Sequence, residues 1–448
     1  MTTVTVVPAV RVRRPIPVRR ILRMELVKQF SAWRVRVLLL LCWLGPGVLV
    51  FAIDQQSTLP SDTPFGRWMH ATGWAGPLVV LGVAGSWVLP LVASLAAGDV
   101  FAAEDRLGTW RHLLVTVRSH RRIFAAKALA ALTVTLLLVA GLALSGTFGG
   151  LLAEGSQPLV GLDGHLLTGA DAAGGVLLAW LCALAPTLAL AAIGLLGSVA
   201  LGRSPMGLLL PVLAALGMQL AQLLPLPVAV RLALPGYAFT SWNGLFTAPR
   251  QPGPLLIGLA VSLAWAALAT TLAYRLFLRR DFTNPGQDGA GRRALTLGLL
   301  PLAALLALTA VALTAAPGAT GPGITQPKLQ RSLATAFAHL YRYQQAELRQ
   351  PPVTEPQLHT TAACDRTEGL GRQEGPGNDW RCTVSWTVPG TTATAQAVYQ
   401  LDVAPDGHYT ADGDGPVQLN GYFLLVIDGA PTPNPLWQFD ADVDLLGG

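Results

Sequence analysis

The chain has 448 residues, of which 52% are hydrophobic and only 12% are charged. Soluble domains carry about 25% charged residues, so this composition argues against a water-soluble fold. Residues 1–316 contain 24 Lys and Arg against 11 Asp and Glu, whereas residues 317–448 contain 7 against 14. The basic residues flank apolar runs, where Lys and Arg set membrane topology and meet lipid headgroups, so we expect no nucleic-acid binding.

Residues 1–36 are predicted to form a cytoplasmic tail that ends in an amphipathic helix. Apolar side chains recur at spacings of four, four and three residues, at Leu22, Leu26, Phe30 and Trp33. Basic residues surround this apolar face, as they do in a helix that lies in the plane of the lipid headgroups. We therefore predict an interfacial helix in contact with membrane lipids.

Seven uncharged apolar runs of at least 17 residues are present in the chain. They lie near residues 37–53, 75–97, 128–153, 172–202, 204–230, 251–274 and 294–318. About 20 apolar residues cross the hydrocarbon core as a helix, and proline inside such helices is tolerated in a bundle. The sequence thus predicts an all-α polytopic membrane protein with seven transmembrane helices over residues 37–318, of which the fifth is the weakest.

The distribution of Lys and Arg between the loops predicts the orientation of these spans. Basic residues are concentrated in the N-terminal tail and in the segments 104–127 and 275–293, whereas the alternating loops contain few. Because loops rich in Lys and Arg remain in the cytoplasm, we expect the N-terminus inside and the C-terminus outside the cell. The expected location is the plasma membrane of a bacterium.

Residues 323–448 have a mixed polar composition and are long enough for a small domain. An apolar stripe predicts that this domain begins with a helix, at Leu329, Leu333, Phe337 and Leu340. Alternating runs at 380–388 and 395–404 predict strands, and Asp406-Gly407 predicts a hairpin turn. We expect a small extracellular α+β domain in which the helix lies on an antiparallel sheet.

The four cysteines fall into two classes. Cys42 and Cys182 lie in apolar runs, where we expect unreactive buried thiols. Cys364 and Cys382 lie in the segment predicted to be outside, where oxidising conditions favour a disulfide between them. A metal site is the alternative, but no second Cys pair or His lies at ligand spacing, so we expect no metal.

The sequence lacks the motifs of several enzyme classes. No Gly-x4-Gly-Lys-Ser/Thr phosphate loop exists, because Gly precedes none of the lysines, which are Lys28, Lys127 and Lys328. Neither His-Glu-x2-His nor Gly-x-Ser-x-Gly occurs, and no span contains a carboxylate pair of the kind that proton-coupled carriers use. We therefore expect this chain to be neither an enzyme nor a secondary transporter, and to bind no cofactor itself.

The most informative segment is residues 98–127, which reads GDVFAAEDRLGTWRHLLVTVRSHRRIFAAK. An acid, a Gly-Thr pair, an apolar ridge and basic residues follow one another at Glu104, Gly108, Thr109, Leu113, Leu114, Arg118, Arg121 and Lys127. Gly108 can end a short helix, and the two leucines can dock on a partner among the cations. For the arginines alone, the alternative is a solvated loop whose charge serves only topology.

This order of residues resembles the loop between the first two core spans of ABC transporter type 2 permeases. That family typically shows an acid, three residues, Gly-Thr, a Leu-Leu-Val-Thr-Pro stretch with Arg, and a later Gly-Lys. Here Val117 stands at the place of the Pro, and Ala126 at the place of the Gly before Lys127. The resemblance covers roughly residues 15–280, so the seventh span and the C-terminal domain have no counterpart in the family core.

The resemblance implies that the chain is the permease, or transmembrane subunit, of an ABC exporter whose ATPase is a separate chain that binds ATP and Mg²⁺. Two permeases, identical or different, would assemble with two ATPases, whose closure would push segment 98–127 and the interfacial helix. We expect Glu104 to contact the ATPase directly. The resemblance also implies an outer re-entrant segment at Pro235, Tyr237 and Trp242, for which a belt of aromatic side chains at the membrane surface is the alternative.

Small residues in the third apolar run, Ser145 with Gly149 and Gly146 with Gly150, would allow close helix contact at the interface between two permeases. The alternative function is a membrane sensor or scaffold that moves no solute. In that case the acidic C-terminal domain would bind a ligand, and the spans would relay the signal or anchor the protein.

Overall fold

The computed structural model describes residues 16–55, 72–201, 206–280, 282, 291–316, 318–366, 369 and 371–447. This part of the chain is mostly helical and ends in a small β-sheet region. Two predicted features, the first 15 residues of the N-terminal tail and the stretch 56–71 of the loop after the first span, lie outside the described residues.

Two helices meet at a turn near the N-terminus. α1 (Val18–Ser31) ends at Ala32, whose extended backbone separates it from α2 (Trp33–Asp54). α2 contains Pro46, and the amide of the following residue, Gly47, donates a hydrogen bond of 2.9 Å to the Ser145 hydroxyl of another helix. Such contacts between neighbours explain why proline is accepted inside a membrane helix.

A short helix is held between two long ones. α3 (Ala75–Leu107) contains one wide π-helical turn at Ala84–Val88 and ends at Gly108, which has a φ of +66°. α4 (Trp110–Val117) ends at a second residue in the left-handed conformation, Arg118. α5, which begins two residues later, spans His120–Ala153. Left-handed residues terminate helices, so the chain changes direction on both sides of α4.

The rest of the bundle consists, in chain order, of α6 (Gly169–Leu201), α7 (Met206–Gln222), α8 (Val228–Leu232), α9 (Pro252–Leu278) and α10 (Gly291–Leu313). A two-stranded ribbon, β1 (Leu159–Val160) and β2 (Leu166–Leu167), lies in the loop before α6. Two 3₁₀ turns, Pro235–Phe239 and Ser241–Phe246, connect α8 with α9.

Among the described residues, six helices are long and apolar enough to cross a membrane: α2, α3, α5, α6, α9 and α10. They coincide with six of the seven predicted spans, and the chain is a membrane-embedded protein. The fifth predicted span, 204–230, contains the shorter helix α7. Pro225 and Pro227 lack the amide hydrogen that a continuing helix needs, which explains why α7 ends at Gln222.

The small residues of α5 contact other helices of the same chain. They are Ser145, Gly146, Gly149 and Gly150. A Cβ atom added at Gly149 would lie 2.6 Å from the Cα atom of Gly47 on α2, and one added at Gly146 would lie 3.2 Å from the Cα atom of Pro77 on α3. The surface expected between two permeases is therefore used for packing inside one chain.

The C-terminal domain consists, in chain order, of α11 (Gln326–Glu347), α12 (Glu355–Leu358), β3 (Thr361–Arg366), β4 (Gly377–Thr387), β5 (Thr394–Val403), β6 (His408–Gly413), α13 (Val417–Asn420), β7 (Leu424–Ile427), β8 (Ala430–Pro433) and β9 (Gln438–Asp442). Five strands form an antiparallel sheet in the order β3-β4-β5-β6-β9, and β7 pairs with β8 alone. α11 packs on the five-stranded sheet.

The predictions for this domain are confirmed in its main elements. The four residues of the predicted apolar stripe on α11 are all buried, at Leu329, Leu333, Phe337 and Leu340. A disulfide joins Cys364 on β3 to its cross-strand partner Cys382 on β4. The predicted hairpin connects β5 to β6, and Gly407 in its turn has a φ of +100°, which glycine adopts without strain.

The C-terminal domain packs on one end of the bundle, which we call the domain face and which comprises residues 154–168 and 223–251. The amide of Val228 donates to the Gly321 carbonyl at 3.0 Å, and the Arg231 guanidinium donates to the Pro405 carbonyl. The opposite end, which we call the loop face, comprises residues 16–31 and 104–122. The helices therefore connect a face covered by a folded domain to a face formed by α1 and α4.

Candidate functional site

The residues of α4 alternate between the protein interior and the surface of the loop face. Trp110, Leu113 and Val117, spaced by three and four residues, are buried, whereas Val115 is 65% exposed. This spacing gives a short amphipathic helix whose inner face packs on the bundle. Leu114 is half-buried, and the basic residues predicted in this loop, Arg118 and Arg121, are exposed.

A buried cluster of charges lies directly behind α4. The Lys127 ammonium lies 3.0 Å from a carboxylate oxygen of Glu25 and 2.9 Å from one of Glu104, and it also donates to the Val100 carbonyl at 3.1 Å. The Lys127 side chain is 1% exposed, as is that of Glu25, and the Glu104 side chain is 4% exposed. The cluster therefore joins α1, α3 and α5 inside the protein.

Two further donors complete the coordination of Glu104. The Thr109 hydroxyl and the Lys28 ammonium each donate a hydrogen bond to its carboxylate. Gly108 makes the first of these contacts possible, because its left-handed backbone returns the chain toward the last turn of α3. The sequence pattern Glu104, Gly108, Thr109 and Lys127 thus corresponds to one connected structural unit.

A second ion pair fixes α3 to the segment that directly follows α9. The Arg280 guanidinium donates two hydrogen bonds to the Asp105 carboxylate, at 2.9 and 2.7 Å. The Trp110 indole also donates to Asp105 at 2.7 Å, so the same carboxylate holds α4. Aromatic rings surround this contact, with Phe277 5.3 Å from Phe101 and 5.6 Å from Trp110 between ring centroids. The inner side of α4 is consequently fixed by both packing and charge.

A groove of about 380 Å³ lies between α1 and α4 on the outer side of the charge cluster. Its apolar lining includes Ile21, Met24 and Leu113. Basic and imidazole side chains lie among the other lining residues, at Arg20, Lys28 and His112. One oxygen of Glu25, Oε1, is buried at the groove and has no hydrogen-bond partner in the described part of the chain. The groove therefore combines apolar side chains, the buried carboxylates of Glu25 and Glu104, and a margin where Arg20 and His112 are exposed.

The structure corrects the expected exposure of Glu104 and the helix to which Trp33 belongs, whereas the expected contact of α1 with lipids stays a prediction. Glu104 is only 3% exposed, so it does not offer the direct contact with a partner that the sequence suggested. On α1, the predicted apolar face is only partly buried at Leu22, Leu26 and Phe30, and Trp33 belongs to α2 with 69% of its surface exposed. The reason is that α1 turns a different face toward α5, which comprises Ile21, Glu25 and Gln29.

Glu25 is a central member of the charge cluster, although the sequence pattern did not predict it. The one available signal is its position, because it is the single acid in a helix with four basic residues. Its partner Lys127 is 102 positions away, so no local pattern connects the two.

The segment predicted as re-entrant lies in the interior at the domain face. Pro235 begins the first 3₁₀ turn, and Tyr237 and Trp242 are 3% and 2% exposed. Tyr237 packs in the core of the C-terminal domain, and the Arg231 guanidinium lies 5.6 Å from its ring centroid. These buried positions exclude an exposed aromatic belt at these residues.

The charged side chains behind the loop face connect helices through ion pairs. They are Lys127, Glu25, Glu104, Asp105 and Arg280. Within the described ranges, no group of three or more His, Cys, Asp or Glu side chains has the geometry to hold a metal ion. Comparison with protein-family models gives no match for this chain, and comparison with curated proteins gives none either.

Proposed function

We propose that this chain is the membrane permease subunit of an ATP-binding-cassette exporter and that a separate ATPase chain docks on its loop face. The groove between α1 and α4 is the observation that carries the proposal. It presents apolar side chains beside the exposed Arg20 and His112, and a complementary partner would bring an apolar projection with an acidic side chain near Arg20. Such complementarity favours rapid association and correct orientation.

The contacts behind the groove explain how docking would reach the membrane. Lys127, Glu104 and Glu25 connect α4 and α1 to α3 and α5, and Asp105 with Arg280 extends the connection to α9. A displacement of α4 therefore moves three membrane helices together, because packed elements shift as units. ATP binding and closure on the partner would supply that displacement, and substrate would leave along the permease interface.

The proposal includes an orientation, with the loop face in the cytoplasm and the C-terminal domain outside the cell. A cysteine replacing the exposed Ser156 at the domain face should react with an impermeant thiol reagent in intact cells, and one replacing Thr116 on α4 should not. The native cysteines should give little labelling of their own, because Cys42 and Cys182 are buried and the other two cysteines form the disulfide. The reverse labelling pattern would contradict the orientation.

The docking proposal is tested by filling the groove. Met24 is 48% exposed and lines it, whereas Val27, three residues later on α1, is 60% exposed and does not. We expect Met24→Trp to abolish ATP hydrolysis that copurifies with the tagged chain from its native membrane, and Val27→Trp to retain it. The two variants should be equally abundant in the membrane. Equal ATP hydrolysis in both, or none with the unmodified chain, would refute the proposal.

One observation favours the second candidate function, a sensor or scaffold. The C-terminal domain contacts two separate segments of the domain face, through His339 at Asp163 and through Pro405 at Arg231. A ligand bound to this domain could act on the helices through these contacts without any transport. The groove-filling experiment separates the two functions, because a sensor needs no ATPase at the loop face.

A further inference from the structure

A polar cavity of about 340 Å³ lies where the C-terminal domain meets the bundle. α11 contributes Lys328, Arg331, Ser332 and Thr335 to its lining, and the end of the chain contributes Asp442 and Asp444. The membrane domain contributes Asp163 and the residues from Thr247 to Gln251, which directly precede α9. The cavity thus has walls from both parts of the protein and is distinct from the groove at the loop face.

Most acids at this cavity are already satisfied by donors from the protein. One oxygen of Asp444 accepts hydrogen bonds from the amides of Leu446 and Gly447, at 3.0 and 2.8 Å. Asp163 accepts hydrogen bonds from His165 and from the Ala248 amide. These carboxylates therefore do not require a ligand.

Asp442 differs from its neighbours. It is only 9% exposed, and its Oδ1 atom has no hydrogen-bond partner among the described residues. The nearby Lys328 ammonium donates to the Leu445 carbonyl at 2.7 Å. Burial, reinforced by the charges of Asp406, Asp444 and Asp163, raises the pKa of Asp442 well above its usual range. Asp442 lines the cavity. A buried carboxyl oxygen without a donor is stabilised by a proton or by a cation from outside the protein.

The cation is better supplied by an organic ammonium group than by a metal ion. Metal ions such as Ca²⁺ need about six or more oxygen ligands, and no suitable cluster of three ligand side chains exists within the described ranges. An ammonium group needs only acceptors for its N–H bonds, which the Asp442 carboxylate provides. The basic side chains in the lining, at Arg250 and Arg331, suit an acidic group on the same molecule.

We infer that this cavity binds a small zwitterion with a primary ammonium group close to an acidic group, the ammonium donating to Asp442 and the acidic group facing Arg250 and Arg331. The inference goes beyond the proposed function and holds whether or not an ATPase docks at the loop face. Two sources share this chemistry: a free amino compound, and the ethanolamine phosphate headgroup of a lipid.

The probe is phosphoethanolamine, added to the full-length protein in detergent while thermal unfolding is followed. Phosphocholine is the matched control, because it has the same charged groups but no N–H bond to donate. We expect phosphoethanolamine to raise the unfolding midpoint and phosphocholine to have little effect. Equal responses to both compounds would overturn the inference, since recognition would then not involve an N–H donor.

Asp442→Asn tests the residue without changing its shape. The amide keeps the shape of the carboxyl group and cannot ionise, so the variant should fold. Its affinity for phosphoethanolamine should fall about tenfold or more, as expected for a lost charge-assisted hydrogen bond. Asp402→Asn, at an exposed position of β5, should bind normally. Undiminished binding by the Asp442 variant would overturn the assignment.

Reconstitution separates the two sources of the ligand. If the ligand is a lipid headgroup, the unfolding midpoint should be higher in bilayers that contain phosphatidylethanolamine than in bilayers of phosphatidylcholine alone, and Asp442→Asn should remove this difference. If the ligand is a free compound, dissolved phosphoethanolamine should raise the unfolding midpoint in either bilayer. The absence of a response in detergent and in both bilayers would overturn the inference.

Discussion

Lys127 is the residue on which the loop face depends most. Its side chain is 1% exposed and is neutralised by Glu104 and Glu25, which lie on two other helices. Removing one member of a buried ion pair leaves a charge without compensation and costs about 3 to 5 kcal/mol. We therefore expect Lys127→Met to lower the thermal unfolding midpoint of the purified protein strongly, and Glu104→Ala to do so as well.

An exposed pair on α3 provides the control for this prediction. Arg106 lies 3.2 Å from Asp99, and their side chains are 52% and 33% exposed. Exposed pairs contribute only about 0 to 1 kcal/mol, so Asp99→Asn should leave the unfolding midpoint nearly unchanged. If Lys127→Met were as stable as Asp99→Asn, the cluster would not hold α1, α3 and α5 together.

For single residues, the sequence predicted which residues belong to the site better than it predicted what each of them does there. Glu104, Gly108, Thr109 and Lys127 were selected by their order in one segment, and the structure brings them together. The sequence could not show that Glu104 is buried, because its burial depends on Lys28 and Lys127 from other helices. Glu25 was missed for the same physical reason, since its partner is distant in the chain.

At the scale of elements, the contact between α2 and α5 depends on the absence of side chains. A Cβ atom at Gly149 would lie 2.6 Å from the Gly47 Cα atom, closer than two carbon atoms can approach. Gly149→Leu should therefore force α2 away from α5 and reduce the amount of folded protein recovered from membranes. Fluorescence-detected size-exclusion chromatography of a tagged protein measures this quantity.

Gly174 on α6 serves as the control for the same substitution, because no atom lies within 4 Å of a Cβ atom added there. Gly174→Leu should give a monodisperse peak like that of the unmodified chain. Similar peaks for Gly149→Leu and Gly174→Leu would contradict the close contact between α2 and α5.

Helices were predicted correctly where one sequence pattern, a long uncharged run or an apolar stripe, was strong. Six of the seven long uncharged runs coincide with helices that fit a membrane, and the apolar stripe on α11 predicted its buried face. The fifth predicted span extended beyond the end of α7 at Gln222. The search for uncharged runs takes no account of the amide hydrogens that Pro225 and Pro227 lack. The positions of Tyr237 and Trp242 could not be predicted either, since their burial requires the C-terminal domain and the helices around them.

For the whole molecule, the contact between the C-terminal domain and the bundle should depend on pH. The Nδ1 atom of His339 on α11 donates to the Asp163 carbonyl, 3.0 Å away, and its Nε2 atom lies 3.4 Å from a carboxylate oxygen of Glu355. Burial would lower the pKa of His339, but Asp163 and Glu355 outweigh it and raise the pKa above 6.5. His165 also faces this imidazole, with 6.1 Å between ring centroids.

The raised pKa determines the direction of the effect. Protonated His339 stabilises the folded protein fully below the unfolded value of 6.5, and this contribution is lost as the pH rises through the higher folded value. The unfolding midpoint should therefore fall as the pH rises above 6.5, and His339→Gln should flatten this dependence on pH. His359→Gln, at an exposed position, should leave the profile as it is. A profile unchanged by His339→Gln would contradict the prediction.

The wide turn at Ala84–Val88 sets the rotational phase of α3 along its whole length, because it holds one extra residue without the rotation that a regular helix would add. Each residue of an α-helix advances the chain by 1.5 Å and about 100°. If the same residues formed a regular α-helix, the second half of α3 would turn by about that angle relative to the first. Glu104 would then leave Lys127, and Asp105 would leave Arg280, although both lie some 18 residues, or about 27 Å, away along the helix. The extra width of this turn thus keeps the two ends of the bundle in register, and deleting Ser86 should straighten α3 there without breaking either contact.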